Sequence, residues 1–393
     1  MASFYKLNAI KINGYRPFGK FEAQLSPLEI FVGANGSGKS SFFEFLRFLR
    51  DASDREIPPE IVADSIGQQI FHVPGPEKFE WEIEVDISKP VPVAYLGELL
   101  GPKGRGYVSY ERVVSKGRMT VGNDTQLIFL NVEGGTGFME DFHSLLRSPK
   151  EEITLKQRNR LALSTMTSPT TDTLYNLRKY ISDWRFYNSI NIANDKIRRS
   201  VPIQQEPVLH EDCGNLSSVL HYLMTEHRAL FDELELHLKN VVPGFKGLTV
   251  KARGGPGEVI AFWKEDRIDQ ELSLADVSDG ILRLICWFCL CMHPKPPSLI
   301  CIDEPDQGVH PRTLPVLAGL LEKASSRTQI MLATHSSYFL TQFKLENIGV
   351  FKKADGEAKL IRPADSKALK ASLEEFGSDE IEAMHRSDEL ESL

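Results

Sequence analysis

The sequence predicts an α/β chain, with a mixed sheet in its first third, a helical stretch in the middle and a parallel sheet in its last third. Three observations predict it. A continuously apolar run, LEIFVG, enters a glycine-rich loop and then an amphipathic segment, SSFFEFLRFLRDA. Runs of period two follow that segment, as half-buried strands do. After Pro243, strand-like and helix-like runs alternate, which is the pattern of parallel strands joined by crossover helices.

The first strands are read in YKLNAIKINGYRPFGKFEAQLSPLEIFVGA, where Gly and Pro punctuate short alternating runs. LEIFVG has no alternation, so both of its faces are expected to be buried. FEWEIEVDI, VAYLGEL, GYVSYERVVS and LIFLNVEG then read as an antiparallel set, closing a strand-rich part over 1–137. From 138 to 240 the spacing is helical, clearest in LKQRNRLALSTM, DTLYNLRKYISDWRFY and LSSVLHYLMTEHRALFDELELHLKNVV. Over 241–365 come GLTVKARGG and EVIAFWKED as strands, then the alternating lobe with SLICID and QIMLATH as buried strands. The remaining 366–393 is acidic and weakly apolar, a short helix with a frayed end.

With 393 residues, 41% of them hydrophobic, the chain can bury a core for two or three folding units. A net charge of −8 excludes a uniformly basic nucleic-acid coat while leaving room for a local basic stripe. Lys156 to Arg199 is such a stretch, and an exposed charged helix face accounts for it at least as well as a nucleic-acid groove. No charged-then-apolar leader is visible, and the longest apolar stretch, ILRLICWFCLCM, is too short for a bilayer, so a cytoplasmic location without membrane contact is expected. Cys286, Cys289, Cys291 and Cys301 stand in apolar surroundings and read as buried thiols rather than as a zinc site with His293.

Four motifs carry chemistry. Gly33, Ala34, Asn35, Gly36, Ser37, Gly38, Lys39 and Ser40, with Ser41 behind them, form a G-x-x-x-x-G-K-S loop between a buried strand and a helix. Glycines let the backbone approach phosphates, and the helix N-terminus adds positive potential. Lys39 can reach the terminal phosphates, and the Ser40 hydroxyl can ligate Mg²⁺. The apolar run ending in Asp303 and Glu304 places two acids at the end of a buried strand, which is costly unless they have a role: Asp303 to hold Mg²⁺, Glu304 to polarise an attacking water. A second such strand ends at Thr334, His335 and Ser336, where His335 is placed to meet a γ-phosphate or that water. Ser278, Asp279 and Gly280 open an apolar helix and make a second anion-binding terminus.

In this order the motifs resemble the ABC-type ATPase superfamily, in its RecF, SMC and OLD branch. VGANGSGKSSFFEFLRFLRDA, VSDGILRLICWFCL, ICIDEPDQGVHP and LATHSSYFL are similar to the compact bacterial ATPases related to RecF, the AAA-21 group, and so are SDWRFY and LHEDCGNLSSVLHYL. The likeness runs to about Pro363. It implies an ATPase head with a mixed-sheet N-lobe, a RecA-like parallel core and a helical insertion on the signature side. It also implies ATP and Mg²⁺ as cofactors, hydrolysis, and a homodimer or higher even oligomer. Lys39, Ser40, Asp303, Glu304 and His335 then act in cis and Ser278 and Gly280 in trans, with Asp306 in the loop linking the two sites. His310 and Pro311 match a recurrent pair whose simplest role is to start the next helix. A coupling glutamine is expected at Gln68 or Gln69, and a base contact at Arg16 or Phe18.

Two roles are compatible with that resemblance. One is a clamp or switch on nucleic acid in genome maintenance, DNA repair or antiphage defence. The other is a nucleotide-sensing scaffold that holds a separate toxin or nuclease without touching nucleic acid. The 58 residues after His335 show neither the acids of a TOPRIM nuclease nor an HNH cluster, so a partner effector is expected, as in the Septu and retron-associated systems this head resembles. A transporter subunit fits least, because the signature is Ser-Asp-Gly and not Ser-Gly-Gly.

Overall fold

The computed structural model describes residues 4–57, 70–87, 92–101, 106–116, 126–143, 146–147, 150–169, 172–188, 195–366 and 379–386. The chain divides into two compact units: Met1–Trp184 with Ile348–Ser366 and Asp388–Leu393, and Arg185–Asn347 with Lys367–Ser387.

In the first unit the chain runs through β1 (Leu7–Tyr15), β2 (Phe18–Gln24), β3 (Leu28–Val32), α1 (Lys39–Asp54), β4 (Lys78–Val85), β5 (Val93–Leu100), β6 (Tyr107–Ser115), β7 (Ile128–Glu133) and β8 (Thr136–Met139). The short β9 (Phe142–His143), β10 (Leu146–Arg147) and β11 (Glu151–Thr154) lead to α2 (Asp172–Ser182). An antiparallel sheet has the order β11-β8-β7-β6-β5-β4-β1-β2. Its inner face follows from alternation: in β4, Phe79, Trp81, Ile83 and Val85 are buried, whereas Lys78, Glu80, Glu82 and Glu84 are partly exposed. The Trp81 indole packs against Gly97 of β5, where an added Cβ would stand 2.1 Å from it.

α1 closes this core. Phe42, Phe45, Phe48 and Leu49 are at most 2% exposed, and the phenylalanines pack edge-on against Phe31, Tyr15 and Phe79. Full burial of each such side chain stabilises the fold by about 1.5–3 kcal/mol.

The second unit begins with β12 (Arg185–Tyr187) and β13 (Val201–Pro202), followed by α3 (Leu216–Glu226), α4 (Arg228–Val241), β14 (Phe245–Ala252), β15 (Glu258–Glu265) and β16 (Leu272–Ser273). Then come α5 (Asp279–Met292), β17 (Leu299–Asp303), α6 (Leu314–Ala324), β18 (Gln329–Ala333), α7 (Ser337–Leu340) and, near the C-terminus, α8 (Asp379–Arg386). β12, β17 and β18 are parallel neighbours, with Arg185 opposite Ile300 and Asp303 opposite Ala333. Between these two helical stretches of chain the path returns to the first unit for β19 (Ile348–Ala354), parallel to β3, and β20 (Glu357–Ile361), antiparallel to β19. Among the described residues no helix is long and apolar enough to cross a membrane.

Secondary structure departs from the helical spacing read over 138–240 in three places. Thr136–Met139, Phe142–His143, Leu146–Arg147 and Glu151–Thr154 are strands, and among the described residues of this stretch the first α-helix is Asp172–Ser182. LKQRNRLALSTM forms a turn with a single 3-10 stretch at Leu163–Thr165, because the buried carboxylate of Glu111 accepts the backbone N–H groups of Ala162 and Leu163 that a longer helix would direct to carbonyls. The segment after Ser182 is extended, since Phe186 and Tyr187 are buried in parallel pairing with Cys301 and Ile302. The tail's placement from 367 to 378 and beyond 386 lies outside the described residues.

Candidate functional site

β3 is buried along its whole length and delivers the chain directly into the glycine loop. Gly33, Gly36 and Gly38 have φ of +142°, +79° and +120°, values open to glycine and disfavoured for L side chains. At Gly33 an added Cβ would meet the Phe351 carbonyl oxygen at 2.2 Å, and at Gly38 the Ala358 methyl at 2.9 Å. Space inside the unit therefore demands glycine there as strictly as the torsions do. At Gly36 a Cβ would meet nothing within 4 Å, so the space beside it is open and only its torsions call for glycine.

Within this loop Ala34, Asn35 and Gly36 are exposed, as is Ser40, whereas Ser37 and Lys39 are buried and Ser41 is intermediate. Lys39 Nζ donates to Gly33 O at 2.5 Å and Ala34 O at 3.2 Å, which keeps an ammonium folded over its own loop. Gly38 caps α1 without any side-chain hydrogen bond, leaving first-turn N–H groups to an outside acceptor. The Ser37 hydroxyl is buried and has no hydrogen-bond partner. An orphaned buried hydroxyl, a buried ammonium and an uncapped 16-residue helix together fit a polyphosphate.

On the second unit, β17 ends at Asp303 and the next residue, Glu304, has φ +54°. A non-glycine residue there stores of order 1–3 kcal/mol of strain, which the surroundings must enforce. They do so from both sides: Glu304 N donates to Ala333 O at 2.9 Å, and the Trp287 indole donates to Pro305 O at 3.0 Å. His335, just beyond β18, brings Nε2 to 3.6 Å from Glu304 Oε1, and both side chains remain partly open to solvent. The buried Thr334 hydroxyl donates to Asp306 Oδ1 at 2.6 Å and accepts from Ser336 N at 3.0 Å, so the ends of β17 and β18 are tied together. Glu304, Asp306, Thr334 and His335 thus form one constellation, with Asp303 at its root.

Ser278 is exposed, has extended torsions and caps α5 with no side-chain hydrogen bond. The start of α5 lies against the turn after Asp306. A Cβ on Gly280 would stand 2.7 Å from Gly308 O, and Arg283 Nη1 donates to Gln307 O at 3.3 Å. Arg283, Trp287 and Gly308 were not singled out by motif reading. Their only sequence signal is position: one and two helical turns after the signature, and two residues after Asp306.

Phe18, a sequence candidate for base contact, is fully buried and its ring sits 4.6 Å from Phe21 by centroid, which removes it from any stacking role. Arg16 adopts φ +47° at the β1–β2 turn and pairs with Glu44. Gln68 and Gln69 lie outside the described residues. His310 accepts from Arg312 N through Nδ1 at 3.2 Å and opens the 3-10 turn at Pro311–Thr313, a capping role. Cys286, Cys289 and Cys291 lie buried in α5, and burial pushes the Cys291 thiol up to about 12.

A family model described as AAA domain, putative AbiEii toxin, Type IV TA system, matches residues 30–341. Two solved structures are similar over most of both chains. One is an SMC head bound to the C-winged helix domain of ScpA, 13% identical, covering 90% of this chain and 97% of that one with a TM-score of 0.57. The other is the Smc head domain with an extended coiled coil, bound to the C-terminal domain of ScpA and derived from Pyrococcus furiosus, 12% identical over 94% and 99% with a TM-score of 0.57. At such identities the likeness is one of fold. No curated protein matches the chain.

Proposed function

This chain belongs to the AAA-domain family of ABC/SMC-like P-loop ATPases whose description names the AbiEii toxin, and we propose that it binds and hydrolyses ATP between two copies joined head to head. The observation that carries the reading is the α5 terminus at Ser278, an exposed serine that makes no side-chain cap hydrogen bond although serine is among the strongest capping residues. The glycine loop already supplies one complete phosphate cradle. A further anion-binding terminus in the same chain is accounted for if it serves the nucleotide of another copy.

In this reading the N–H groups of the Gly33–Lys39 loop and the Ser37 hydroxyl cradle the phosphates, and Lys39 leaves its own carbonyls for the terminal phosphate. Ser40 and Asp303 would hold Mg²⁺, which supplies charge neutralisation on the phosphate oxygens. Glu304 orients the attacking water and takes its proton, while His335 holds the far side of that water or the γ-phosphate. Ser278 and Gly280 of the second copy close over the γ-phosphate. Because that contact exists only while the phosphate does, hydrolysis reopens the pair.

The cycle serves a clamp or switch in bacterial genome maintenance or antiphage defence, acting with a separate effector protein. The family's toxin–antitoxin description, and the ScpA domains held by the similar SMC heads, support a protein partner. A scaffold that holds a toxin or nuclease without touching nucleic acid is the second reading, favoured by that same description.

The test is molar mass by light scattering of Glu304→Gln with and without ATP and Mg²⁺, beside wild-type phosphate release and Ser278→Arg. Dimers or larger even assemblies formed only with ATP, and abolished together with hydrolysis by Ser278→Arg, support the shared site. A monomer that hydrolyses at full rate overturns it.

A further inference from the structure

One guanidinium in the second unit has a set of partners that packing alone does not require. Arg198 stands at the end of a short 3-10 turn, Asp195–Arg198, whose own position is fixed by the buried Ile197 and by the Lys196–Asp212 ion pair at 3.0 Å. Its Nη1 lies within hydrogen-bond distance of three carbonyl oxygens: Leu274 at 3.0 Å, Ala275 at 2.8 Å and Val277 at 2.9 Å. Its Nη2 meets Asp279 Oδ1 at 2.5 Å. These four acceptors span the turn that leads into α5, and Ser278 lies in their midst.

Two physical consequences follow. Carbonyl oxygens that converge on one point repel one another unless a cation lies between them, so Arg198 at their centre adds to the bonds from Asp276 N to Ser273 O at 2.9 Å and from Ala275 N to the Ser273 hydroxyl at 3.1 Å in holding the 274–277 turn. Leu274 and Val277 are buried, yet Ser278 itself is exposed and uncapped, so the clamp is what gives the serine a single presentation. The second consequence concerns charge. Asp279 puts a carboxylate on the first turn of a helix whose terminus is proposed to receive a phosphate, where two anions would repel. Arg198 holds that carboxylate aside and neutralises it.

We propose that Arg198 is the positioning residue of the signature: it presets the 274–277 turn for Ser278 and screens Asp279 from the phosphate of the ATP held by a second copy. The proposal rests on the head-to-head reading above. Arg198 touches no nucleotide of its own chain in this scheme, so it governs assembly and not the first binding of ATP.

The experiment uses the full chain in the Glu304→Gln background, with light scattering for ATP-driven assembly. Binding of a fluorescent ATP analogue is measured in parallel, at protein concentrations below assembly. Arg198→Ala is expected to need at least tenfold more protein for half-maximal assembly, with affinity for the analogue within twofold of the parent. Adding Asp279→Asn to Arg198→Ala should recover part of that loss, since the unscreened carboxylate is gone, whereas a purely structural arginine predicts no recovery. Arg198→Lys keeps the charge but cannot span four acceptors, and is expected to be severalfold weaker; it decides the question should Arg198→Ala melt below the assay temperature. Folded Arg198→Ala or Arg198→Lys protein that assembles like the parent overturns the proposal and leaves the shared site standing. Failure of Glu304→Gln alone to assemble, with Arg198 intact, overturns the shared site and this proposal with it.

Discussion

Glu111 offers the most quantitative test of how the first unit is held together. Its carboxylate is fully buried in β6, accepts Ala162 N at 2.5 Å and Leu163 N at 2.9 Å, and receives the Tyr95 hydroxyl at 3.0 Å. Burial outweighs these three hydrogen bonds and pushes its pKa from 4.5 up to about 7. A raised carboxyl pKa means that the native state holds a proton the unfolded chain has released. The associated stability is fully present below pH 4.5 and is lost as pH rises through about 7.

Between pH 5.5 and 8 that linkage amounts to about 2 kcal/mol, or roughly 4–8 °C in the melting temperature of a unit this size. Glu111→Gln retains the shape but cannot titrate. The assay is thermal unfolding by circular dichroism across pH 5–8.5 for both proteins, compared as a difference so that other titrating groups cancel. Wild type should lose stability relative to Glu111→Gln as pH rises. Parallel curves, or a difference of opposite sign, would refute the account of Glu111 as a carboxyl governed by desolvation.

Gly38→Ala should destabilise by about 1–3 kcal/mol and abolish ATP binding, because it forces a methyl into φ +120° at 2.9 Å from Ala358; melting and nucleotide titration check both. The fully buried Glu29 of β3 accepts both Arg362 Nη groups and the Ser26 N–H, so Arg362→Ala strands a buried carboxylate and should cost about 3–5 kcal/mol, read by chemical denaturation. Glu29→Ala leaves the more exposed arginine free to reach water and should cost less.

The glycine loop, the paired acids and the serine cap were legible because each is a local pattern. A turn that needs positive φ calls for glycine at fixed offsets, and an acid at the end of an apolar run stands out against its neighbours. Other features were not legible for an equally physical reason. LKQRNRLALSTM has helical spacing, yet it becomes a turn because a carboxylate about fifty positions earlier takes the N–H groups of Ala162 and Leu163. The extended course of Arg185–Tyr187 depends on β17, more than a hundred residues later. Phe18 looks like a stacking residue in sequence and is core in the fold, since an aromatic side chain announces its size but not its direction.

By itself the sequence determined which residues stand as candidates to cradle phosphate, hold a cation and polarise water, and in what order the α/β elements carry them. Tertiary structure alone decided that Glu304 is held at φ +54° beside His335, that Asp306 bonds to Thr334, and that Arg198 lies at the centre of the signature turn. Spacing encodes periodicity within one element, whereas these contacts join separate elements and exist only after the parallel strands have paired and closed the loops between them.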